Sequence, residues 1–542
     1  MKKYHLILLS IFSGILFSIG WPVNGFPVFL FFSFVPLLYI EDFICKNKKN
    51  FSIFSILFYS YPAFFVWNLL TTWWIWNSTE TGAIMAILLN SLFMAVFFNL
   101  YHITKRILYK NDQGYFILIF YWITWEFLHL DWDLSWSWLN LGNGFASYTK
   151  WIQWYEFTGT FGGTFWILLV NIIIYKLLVE LLNKNKSLKK IIVLFSSLLL
   201  LIFLPIIFSY IIYNNYEETK NPVSVVVVQP NIDPYSEQYN LPPSIIIDKI
   251  FKLAEPEIDS LTDFVVCPES ANQEDIWERN IKNYPSIIQL KKFIKKYPHI
   301  NFVIGASTYK RLEDEQPITN AARKFHDSDN YYYAYNTVIF LDSSDIIRLY
   351  HKSKLTPGVE KMPSWKILKP LEKFAIDLGG TIGTLATDKE KKVFNTKDSL
   401  KVAVIICYES VYGEFVSEFV RNGANLIFLI TNDGWWGNTP GHRQHFSFSP
   451  LRAIETRRSF ARSANTGISC FINQKGDVFQ KTEYWVPAVI KQDINANSKL
   501  TFYVKYGDYI GRISAFISAL FFLITISMGI VNRRKSLKLS AE

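Results

Sequence analysis

Long apolar segments constrain this chain more than any other feature of its sequence. A transmembrane helix needs about 20 largely apolar residues to cross roughly 30 Å of hydrocarbon, because lipid cannot satisfy its backbone hydrogen bonds. Eight segments approach that requirement, and tryptophans and tyrosines crowd their ends, as at a membrane–water interface. The segments are Tyr4–Ile19, Phe26–Ile40, Phe51–Trp73, Ala83–Ile107, Tyr115–Leu130, Phe157–Leu182, Ile191–Tyr213 and Ile510–Val531.

The distribution of charge divides the chain in the same way. Half of the residues are hydrophobic and only 18% are charged, against about a quarter charged in a typical soluble protein. Most charged residues follow residue 213. The sequence therefore predicts a seven-helix transmembrane domain over residues 1–213, an external domain over 214–509, a transmembrane helix over 510–531 and a tail over 532–542.

Lysine and arginine predict the orientation of these segments. They are concentrated at the N-terminus, in the loops after the second, fourth and sixth segments, and in the C-terminal tail. The positive-inside rule then places both termini in the cytoplasm and residues 214–509 outside. Much of the net charge of +10 comes from these loops. Because the external domain has no basic stripe, we do not expect it to bind nucleic acid.

The external domain has the pattern of a layered α/β fold with a mixed sheet. Short β-branched runs alternate with longer amphipathic segments between residues 223 and 482. Strands are predicted over Val223–Val228, Phe264–Val266, Phe302–Gly305, Asn336–Leu341, Ile346–Tyr350, Val402–Ile406, Leu426–Ile430, Ser459–Arg462 and Gly467–Ile472. Helices are predicted over Pro243–Leu261, Ile276–Lys296, Val411–Arg421 and Gln444–Arg457.

Three of the predicted strands end at reactive side chains, namely Glu269, Lys352 and Cys407. Taken singly, these are a helix-capping carboxylate, a surface lysine and a small buried thiol. Together they supply a base, a cation and a nucleophile. A carboxylate can take the proton of the thiol, and an ammonium group can stabilise an oxyanion, so the set predicts covalent acyl transfer.

Four motifs built on these residues resemble the nitrilase superfamily with its Glu-Lys-Cys triad. They are Cys267-Pro268-Glu269-Ser270, Lys352 with the segment 355–360, Cys407-Tyr408-Glu409, and Asn432-Asp433-Gly434-Trp435-Trp436-Gly437. The eight apolar segments around them narrow the resemblance to the apolipoprotein N-acyltransferase family, over essentially the whole chain. The resemblance implies a polytopic α-helical protein of the bacterial inner membrane with eight transmembrane helices and an extracytoplasmic (periplasmic) αββα nitrilase-like domain.

The resemblance also implies an activity. Cys407 would take an acyl chain from a membrane phospholipid as a thioester and pass it to the α-amino group of a diacylglyceryl-cysteine at a lipoprotein N-terminus. Glu269 would act as the base and Lys352 would supply positive charge, with ping-pong kinetics. No cofactor is expected, and the bilayer itself is a partner. A monomer is expected.

Other positions are assigned through the same resemblance. Supporting residues are expected at Glu360, Tyr408 and Glu409, and substrate-binding residues at Tyr239 and Trp435. No metal is expected, because no carboxylate or thiol in the sequence completes a ligand set with the histidine pair His442 and His445.

Several positions depart from the family pattern. Cys267 stands where an aromatic residue is common, Gly358-Val359 replaces Phe-Gly before Glu360, and Tyr239 stands where tryptophan is frequent. The apolar residues Met362, Trp365 and Ile367 form either a flap over a lipid entrance or an ordinary buried loop.

Two other functions fit parts of the sequence. A membrane-tethered amidase that uses water as acceptor would have the same triad, but eight spans exceed what an anchor needs. A transporter with an external binding domain would place ionisable residues inside its spans. The predicted spans are nearly empty of them, with Glu126 and Lys176 the main exceptions, so transport is the least favoured function.

Overall fold

The computed structural model describes residues 2–109, 113–313, 318–362 and 384–539, with side chains up to residue 534. The chain forms two compact units. The helical unit comprises Met1–Trp73, Ala83–Asn214 and Asp508–Glu542. The α/β unit comprises Trp74–Gly82 and Asn215–Gly507. The short segment Trp74–Gly82 therefore belongs with residues that follow it by more than a hundred positions.

The helical unit consists almost entirely of apolar helices. They are α1 (Lys3–Gly20), α2 (Val35–Lys46), α3 (Ser55–Thr72), α4 (Glu80–Leu108), α5 (Ile117–Leu128), α6 (Tyr155–Thr158), α7 (Thr160–Leu182), α8 (Leu188–Asn215) and, near the C-terminus, α14 (Tyr509–Leu539). Among the residues that the structure describes, six segments are long and apolar enough to cross a bilayer: Lys3–Gly20, Pro27–Lys46, Glu80–Leu108, Thr160–Leu182, Leu188–Asn215 and Tyr509–Arg534.

The other two predicted spans fall on α3 and α5. Both are helical, but α5 has only 12 residues, and α3 contains Pro62 and several polar residues. The structure thus supports a membrane protein, and the count of eight spans stays a prediction.

Buried charges join two of the membrane helices. Glu41 on α2 forms an ion pair with Lys105 on α4 and contacts His102 Nδ1 at 2.9 Å. All three side chains are buried. Glu41 follows the predicted span Phe26–Ile40, whereas His102 and Lys105 lie near the end of the predicted span Ala83–Ile107. Glu41 and Lys105 lie near segment ends, where such residues usually face water, but here each charge neutralises another inside the protein.

The α/β unit alternates strands and helices, as the sequence pattern indicates. Its strands are β1 (Pro222–Gln229), β2 (Thr262–Val266), β3 (Asn272–Trp277), β4 (Asn301–Arg311), β5 (Arg323–Lys324), β6 (Tyr331–Leu341), β7 (Arg348–His351), β8 (Phe394–Asn395), β9 (Lys401–Ile406), β10 (Leu426–Thr431), β11 (Phe460–Ala464), β12 (Cys470–Ile472), β13 (Val478–Phe479) and β14 (Ala488–Asn495). Its helices are α9 (Pro243–Ala254), α10 (Pro285–Lys296), α11 (Gly413–Arg421), α12 (Pro440–Thr456) and α13 (Phe502–Tyr506). Proline occupies the first turn of α9, α10 and α12, where its fixed φ favours helix initiation.

The strands form two sheets. One has eight strands with the main order β14-β1-β2-β4-β6-β5, and the other has six with the order β13-β12-β11-β10-β9-β8. The central strands of each sheet run parallel, as in β1–β2–β4 and β9–β10–β11. The sheets pack through their apolar faces, where the rings of Phe264 and Phe428 lie 5.0 Å apart. Helices α9 and α10 cover the outer face of the first sheet with a cluster of buried isoleucines.

This arrangement confirms the predicted fold class, a membrane protein with an α/β nitrilase-like domain. One predicted helix was partly wrong: Ile276 belongs to β3, and the helix begins only at Pro285. Strand β14 was not predicted at all.

Candidate functional site

Glu269, Lys352 and Glu360 form a charge cluster in which Glu269 and Lys352 are buried and Glu360 is partly buried. Glu269 follows β2, and Lys352 follows β7. Lys352 Nζ lies 3.0 Å from Glu269 Oε1 and 2.9 Å from Glu360 Oε1. Burial alone would lower the pKa of Lys352, but the two carboxylates outweigh it and hold that pKa well above its ordinary value. The lysine is therefore a permanent ammonium group within the site.

Asn336 holds the two carboxylates of this cluster together. Its Nδ2 donates to Glu269 Oε1 at 2.8 Å and to Glu360 Oε1 at 3.1 Å. Burial opposes ionisation of Glu360, but Lys352 and the hydrogen bonds from Thr356 and Asn336 lower its pKa. Asn336 was not predicted as a site residue, because an asparagine within a strand has no sequence pattern that indicates a functional role.

The second oxygen of Glu269 is fixed by a backbone group. Asn432 N donates to Glu269 Oε2 at 3.0 Å. The backbone of residues 268–270 lies against β4 at Gly305, whose N donates to Pro268 O at 3.0 Å. A Cβ at Gly305 would come within 2.6 Å of Glu269 Cα, so only glycine permits this approach.

Cys407 begins the turn that follows β9, and its φ of 48° lies in the left-handed region. Burial raises the pKa of its thiol well above the ordinary value, the charge of Glu269 raises it further, and that of Lys352 lowers it. A protonated thiol beside a carboxylate and an ammonium group needs a base before it can attack. The pKa of the Cys407 thiol is thus shifted by Glu269 and Lys352, the two residues predicted to form a triad with it.

The other three cysteines are buried. Cys267 immediately precedes Pro268, and burial raises the pKa of its thiol well above the ordinary value. Its environment contains no base comparable to the one beside Cys407, so its presence in place of an aromatic residue adds a buried apolar group to the core.

Glu409 is buried and organises the loop around Lys352. Its Oε1 accepts hydrogen bonds from Tyr350 Oη and Ser353 N, both at 2.6 Å, and its Oε2 accepts one from Ile406 N at 2.8 Å. It thereby links the residues that flank Lys352 to the strand that precedes Cys407. The neighbouring Tyr408 is buried and packs edge-on against Tyr412 at 5.3 Å.

Each of the two predicted substrate-binding residues lies within three residues of one end of the Asn432–Gln238 hydrogen bond. Trp435 follows Asn432 in the chain and contacts Tyr235, whose Oη donates to Trp435 O at 2.8 Å. Tyr239 is half-buried and follows Gln238, whose side chain accepts a hydrogen bond from Asn432 Nδ2 at 2.7 Å. Met362 is described, whereas Trp365 and Ile367 of the predicted flap lie outside the described residues.

A second polar network, which was not predicted from the sequence, lies next to Cys407. Cys407 Sγ, a carboxylate oxygen of Asp433 and a ring nitrogen of His445 lie within 4.8 Å of one another. The statement that no thiol or carboxylate accompanies His445 was therefore wrong, because the fold brings together residues that are far apart in sequence. Asp433 already accepts hydrogen bonds from Thr431, His445 and Arg462. We interpret the group as a hydrogen-bonded network and not as a metal site.

The segment Trp74–Gly82 packs beside the same network. Trp74 Nε1 donates to Gln444 Oε1 at 3.2 Å, and Asn77 Nδ2 donates to Trp436 O at 2.9 Å. The rings of Trp74 and Trp436 meet edge to face at 5.0 Å. This segment therefore helps to hold the turn that carries Asn432 and Asp433.

Comparison with known proteins covers both units of the chain. Residues 13–173 match the family model of the apolipoprotein N-acyltransferase N-terminal domain, and residues 307–499 match that of the carbon-nitrogen hydrolases. The apolipoprotein N-acyltransferase of Chlorobaculum tepidum is 28% identical over 96% of both chains. That of Thermotoga maritima is 26% identical over 96% of this chain and 94% of its own.

Among solved structures, Saccharomyces cerevisiae Nit3, a member of the nitrilase superfamily, matches with a TM-score of 0.36 and 16% identity over 52% of this chain and 93% of its own. The family models and the full-length relatives together establish what kind of enzyme this is. The chain belongs to the apolipoprotein N-acyltransferase family of the nitrilase superfamily and is an acyltransferase.

Proposed function

We propose that this protein transfers a fatty acyl chain from a membrane phospholipid, through a thioester on Cys407, to the α-amino group of the N-terminal diacylglyceryl-cysteine of apolipoproteins. The observation that carries the proposal is the buried Glu269–Lys352 ion pair, with its 3.0 Å contact, whose two charges act on the thiol of Cys407. The names of the full-length relatives support the choice of acceptor.

The first half-reaction loads the enzyme. Glu269 removes the thiol proton of Cys407, and the thiolate attacks the ester carbonyl carbon of the phospholipid. A C–S bond forms, and Lys352 stabilises the oxyanion of the tetrahedral intermediate. The C–O bond then breaks, and the proton held by Glu269 passes to the oxygen of the departing lysophospholipid.

The second half-reaction regenerates the thiol. Glu269 takes a proton from the incoming α-amine, whose nitrogen attacks the thioester carbonyl. A C–N bond forms, the C–S bond breaks, and the sulfur recovers the proton from Glu269. Because the same base serves both halves and the first product leaves before the acceptor reacts, ping-pong kinetics follow. These steps need no cofactor or metal.

The remaining site residues act through the triad or bind substrate. Glu360 holds the ammonium group of Lys352 toward Glu269, and Glu409 fixes the loop that carries the lysine. We assign Tyr408 to the wall behind the nucleophile. We propose that Tyr239 and Trp435 contact the acyl chain.

The proposed location follows from the loop charges. The protein spans the bacterial inner membrane as a monomer, with both termini in the cytoplasm. Residues 1–213 and 510–531 are its transmembrane parts, residues 532–542 are its tail, and residues 214–509 are its periplasmic catalytic domain. This placement puts the nucleophile in the compartment that holds the lipoprotein N-termini.

Intact-protein mass spectrometry tests the proposal. The full-length protein in phospholipid nanodiscs is expected to gain one fatty-acyl mass that hydroxylamine removes, whereas Cys407→Ser and Glu269→Gln gain none. Cys470→Ala is the matched control, since Cys470 is a buried thiol on β12 outside the site, and it should acylate like the native protein. A loaded enzyme should then transfer the chain to a diacylglyceryl-cysteine peptide but not to its N-acetylated form.

The alternative, a membrane-tethered amidase with water as acceptor, predicts a different result. It would show no adduct from any phospholipid and would hydrolyse a small amide instead. That outcome would refute acyl transfer to lipoproteins.

A further inference from the structure

The backbone of Cys407 is strained in a way that its neighbours must maintain. A non-glycine residue with a φ of 48° carries a conformational cost of about 1 kcal/mol or more, and it persists only where the surroundings hold it. The backbone conformation of a residue also sets the direction in which its side chain leaves the chain. Whatever holds the carbonyl group of Cys407 therefore controls the nucleophile.

Two side chains hold that carbonyl oxygen. Ser410 Oγ donates to it at 2.8 Å, and His445 Nε2 lies 3.1 Å from it. The other ring nitrogen of His445, Nδ1, lies 2.8 Å from Asp433 Oδ1. A carbonyl oxygen can only accept a hydrogen bond, so the contact with Cys407 needs a hydrogen on Nε2 of His445. The same ring also lies 3.0 Å from Ser410 Oγ through Nε2 and 3.3 Å from Arg462 Nη2 through Nδ1. His445 thus bridges the nucleophile's backbone to a buried carboxylate.

Asp433 anchors a second contact to the same residue. Its Oδ1 also accepts a hydrogen bond from Thr431 Oγ1 at 2.8 Å. Thr431 is close enough to Cys407 to lower the pKa of its thiol, against the burial that raises it. The Oδ2 of Asp433 accepts a hydrogen bond from Arg462 Nη2 at 2.7 Å. Asp433 is fully buried, and although burial opposes its ionisation, Arg462 and His445 hold its pKa well below the ordinary range. One carboxylate therefore contacts both His445 and Thr431, the two side chains that lie beside Cys407.

We propose that His445 and Thr431, which both contact Asp433, position the nucleophile, His445 at the carbonyl oxygen of Cys407 and Thr431 at its thiol. His445 and Thr431 are positioning residues outside the Glu-Lys-Cys triad. The inference rests on the proposed role of Cys407 as nucleophile and extends it to residues that neither receive protons from the thiol nor contact the acyl chain.

Two substitutions at His445 separate the proposed contact from simple packing. In His445→Gln the side-chain amide reaches the place of Nε2 and can still donate to the Cys407 carbonyl. In His445→Asn the amide reaches only the place of Nδ1, so the contact with Cys407 is lost while the contact with Asp433 remains. The readout is the rate of alkylation of Cys407 by iodoacetamide in the full-length protein in detergent, followed by peptide mass spectrometry.

We expect His445→Gln to react within about threefold of the native rate. His445→Asn should react more slowly by a factor of up to about ten, which corresponds to the free energy of one lost hydrogen bond. His442 provides the control, because it lies one turn earlier on α12 and stacks on Tyr484 at 4.0 Å. His442→Gln and His442→Asn should give equal alkylation rates. Equal losses from Gln and Asn at position 445, or no loss from either, would overturn the proposal.

The thiol contact has its own variant, which also serves if His445→Asn does not fold. Thr431→Val keeps the shape of the side chain and removes the hydroxyl, while Thr431→Ser restores it. We expect slower alkylation in the valine variant and recovery in the serine variant, and an unchanged rate in both would refute this half of the proposal.

Acyl-adduct formation is measured on the same samples. An enzyme that shows the expected alkylation pattern but never acquires an acyl chain would contradict the proposed function and leave the positioning inference standing. An enzyme that acylates while all position-445 variants alkylate at the native rate would do the reverse.

Discussion

Gly305 shows how a single missing side chain can set catalytic geometry. Its backbone lies where a Cβ would meet Glu269 Cα and Ser270 N at 2.6 Å. Gly305→Ala should push the proposed base away from Cys407 and slow acyl-enzyme formation by about tenfold to a hundredfold, since misplacement of about 1 Å costs that much. Stopped acylation time courses read by intact mass measure the effect.

The matched control for this change is Gly529→Ala. Gly529 lies on α14, and a Cβ there would meet nothing within 4 Å. Native acylation rates in both alanine variants would show that the strand does not need to approach Glu269 so closely.

Glu409 should make the stability of the protein depend on pH. Burial raises its pKa from 4.5 to about 7, against hydrogen bonds from Tyr350, Ser353 and Ile406 that lower it. The folded protein therefore binds this proton more tightly than the unfolded chain does, so the stability from Glu409 is present below pH 4.5 and is lost as pH rises through about 7. The native Tm should fall more between pH 5 and pH 8 than the Tm of Glu409→Gln.

Glu390→Gln is the control for this experiment, because Glu390 is exposed. It should reproduce the native pH dependence. The idea fails if Glu409→Gln and the native protein show the same slope of Tm against pH.

At the residue scale, the sequence predicted which reactive side chains meet but not what holds them. Glu269 and Lys352 each follow a β-branched run, so their positions at strand ends could be read directly, and the structure places them in contact. Asn336 and His445 could not be found in this way. Their importance depends on partners more than 30 residues away, and only tertiary packing sets such pairs.

At the element scale, helix α8 depends on help from a neighbour. Pro205 lies inside it and has no N–H, so the carbonyl oxygen of Leu201, one turn earlier, lacks its helical donor. Trp166 on α7 supplies the missing hydrogen bond, with Nε1 2.6 Å from Leu201 O. In a segment without access to water, an unpaired carbonyl is costly.

This pairing predicts a non-additive effect. Trp166→Phe should lower the Tm, and the loss should shrink when Pro205→Ala restores the backbone N–H that Leu201 O can use. We expect a coupling free energy of about 0.5–1.5 kcal/mol, typical of one net hydrogen bond. A double-mutant cycle of thermal unfolding in detergent measures it, and strictly additive losses would show that Trp166 stabilises α8 by packing alone.

Strands with a clear pattern of apolar residues were predicted more accurately than strands without one. The buried strands β1, β9 and β10 have nearly continuous β-branched and leucine runs and were predicted closely. Strand β3 was not predicted, because Asn272–Trp277 is mostly polar and has no strand alternation. Its last two residues, Ile276 and Trp277, and the turn after them were assigned to a helix. Strand β14 was also missed. It is only partly buried along its length, so it has no continuous apolar run.

At the scale of the whole molecule, the proposed orientation can be checked with two single cysteines. Leu261 is 76% exposed in the α/β unit, and Leu188 is 72% exposed at the start of α8. In intact spheroplasts a membrane-impermeant maleimide should label Leu261→Cys at once, and Leu188→Cys only after lysis. The unsubstituted protein gives the background from its native cysteines, and the reverse labelling pattern would invert the topology.

The division of the chain into two kinds of unit was already visible in its sequence, because charge and hydropathy change together near residue 213. The fold class was predictable for that reason. The placement of Trp74–Gly82 was not, since a short aromatic loop between two apolar segments looks like an interfacial anchor.

That loop has a consequence for how the protein is made. The hydrogen-bond partners of Asn77 and Trp74 lie 359 and 370 residues later in the chain. The ribosome must therefore synthesise those later residues before these two hydrogen bonds can form. Until then Trp74 has no Gln444 to accept its hydrogen bond, and the turn that carries Asn432 and Asp433 does not yet exist. The α/β unit is therefore completed by a segment that is made more than 350 residues before its partners.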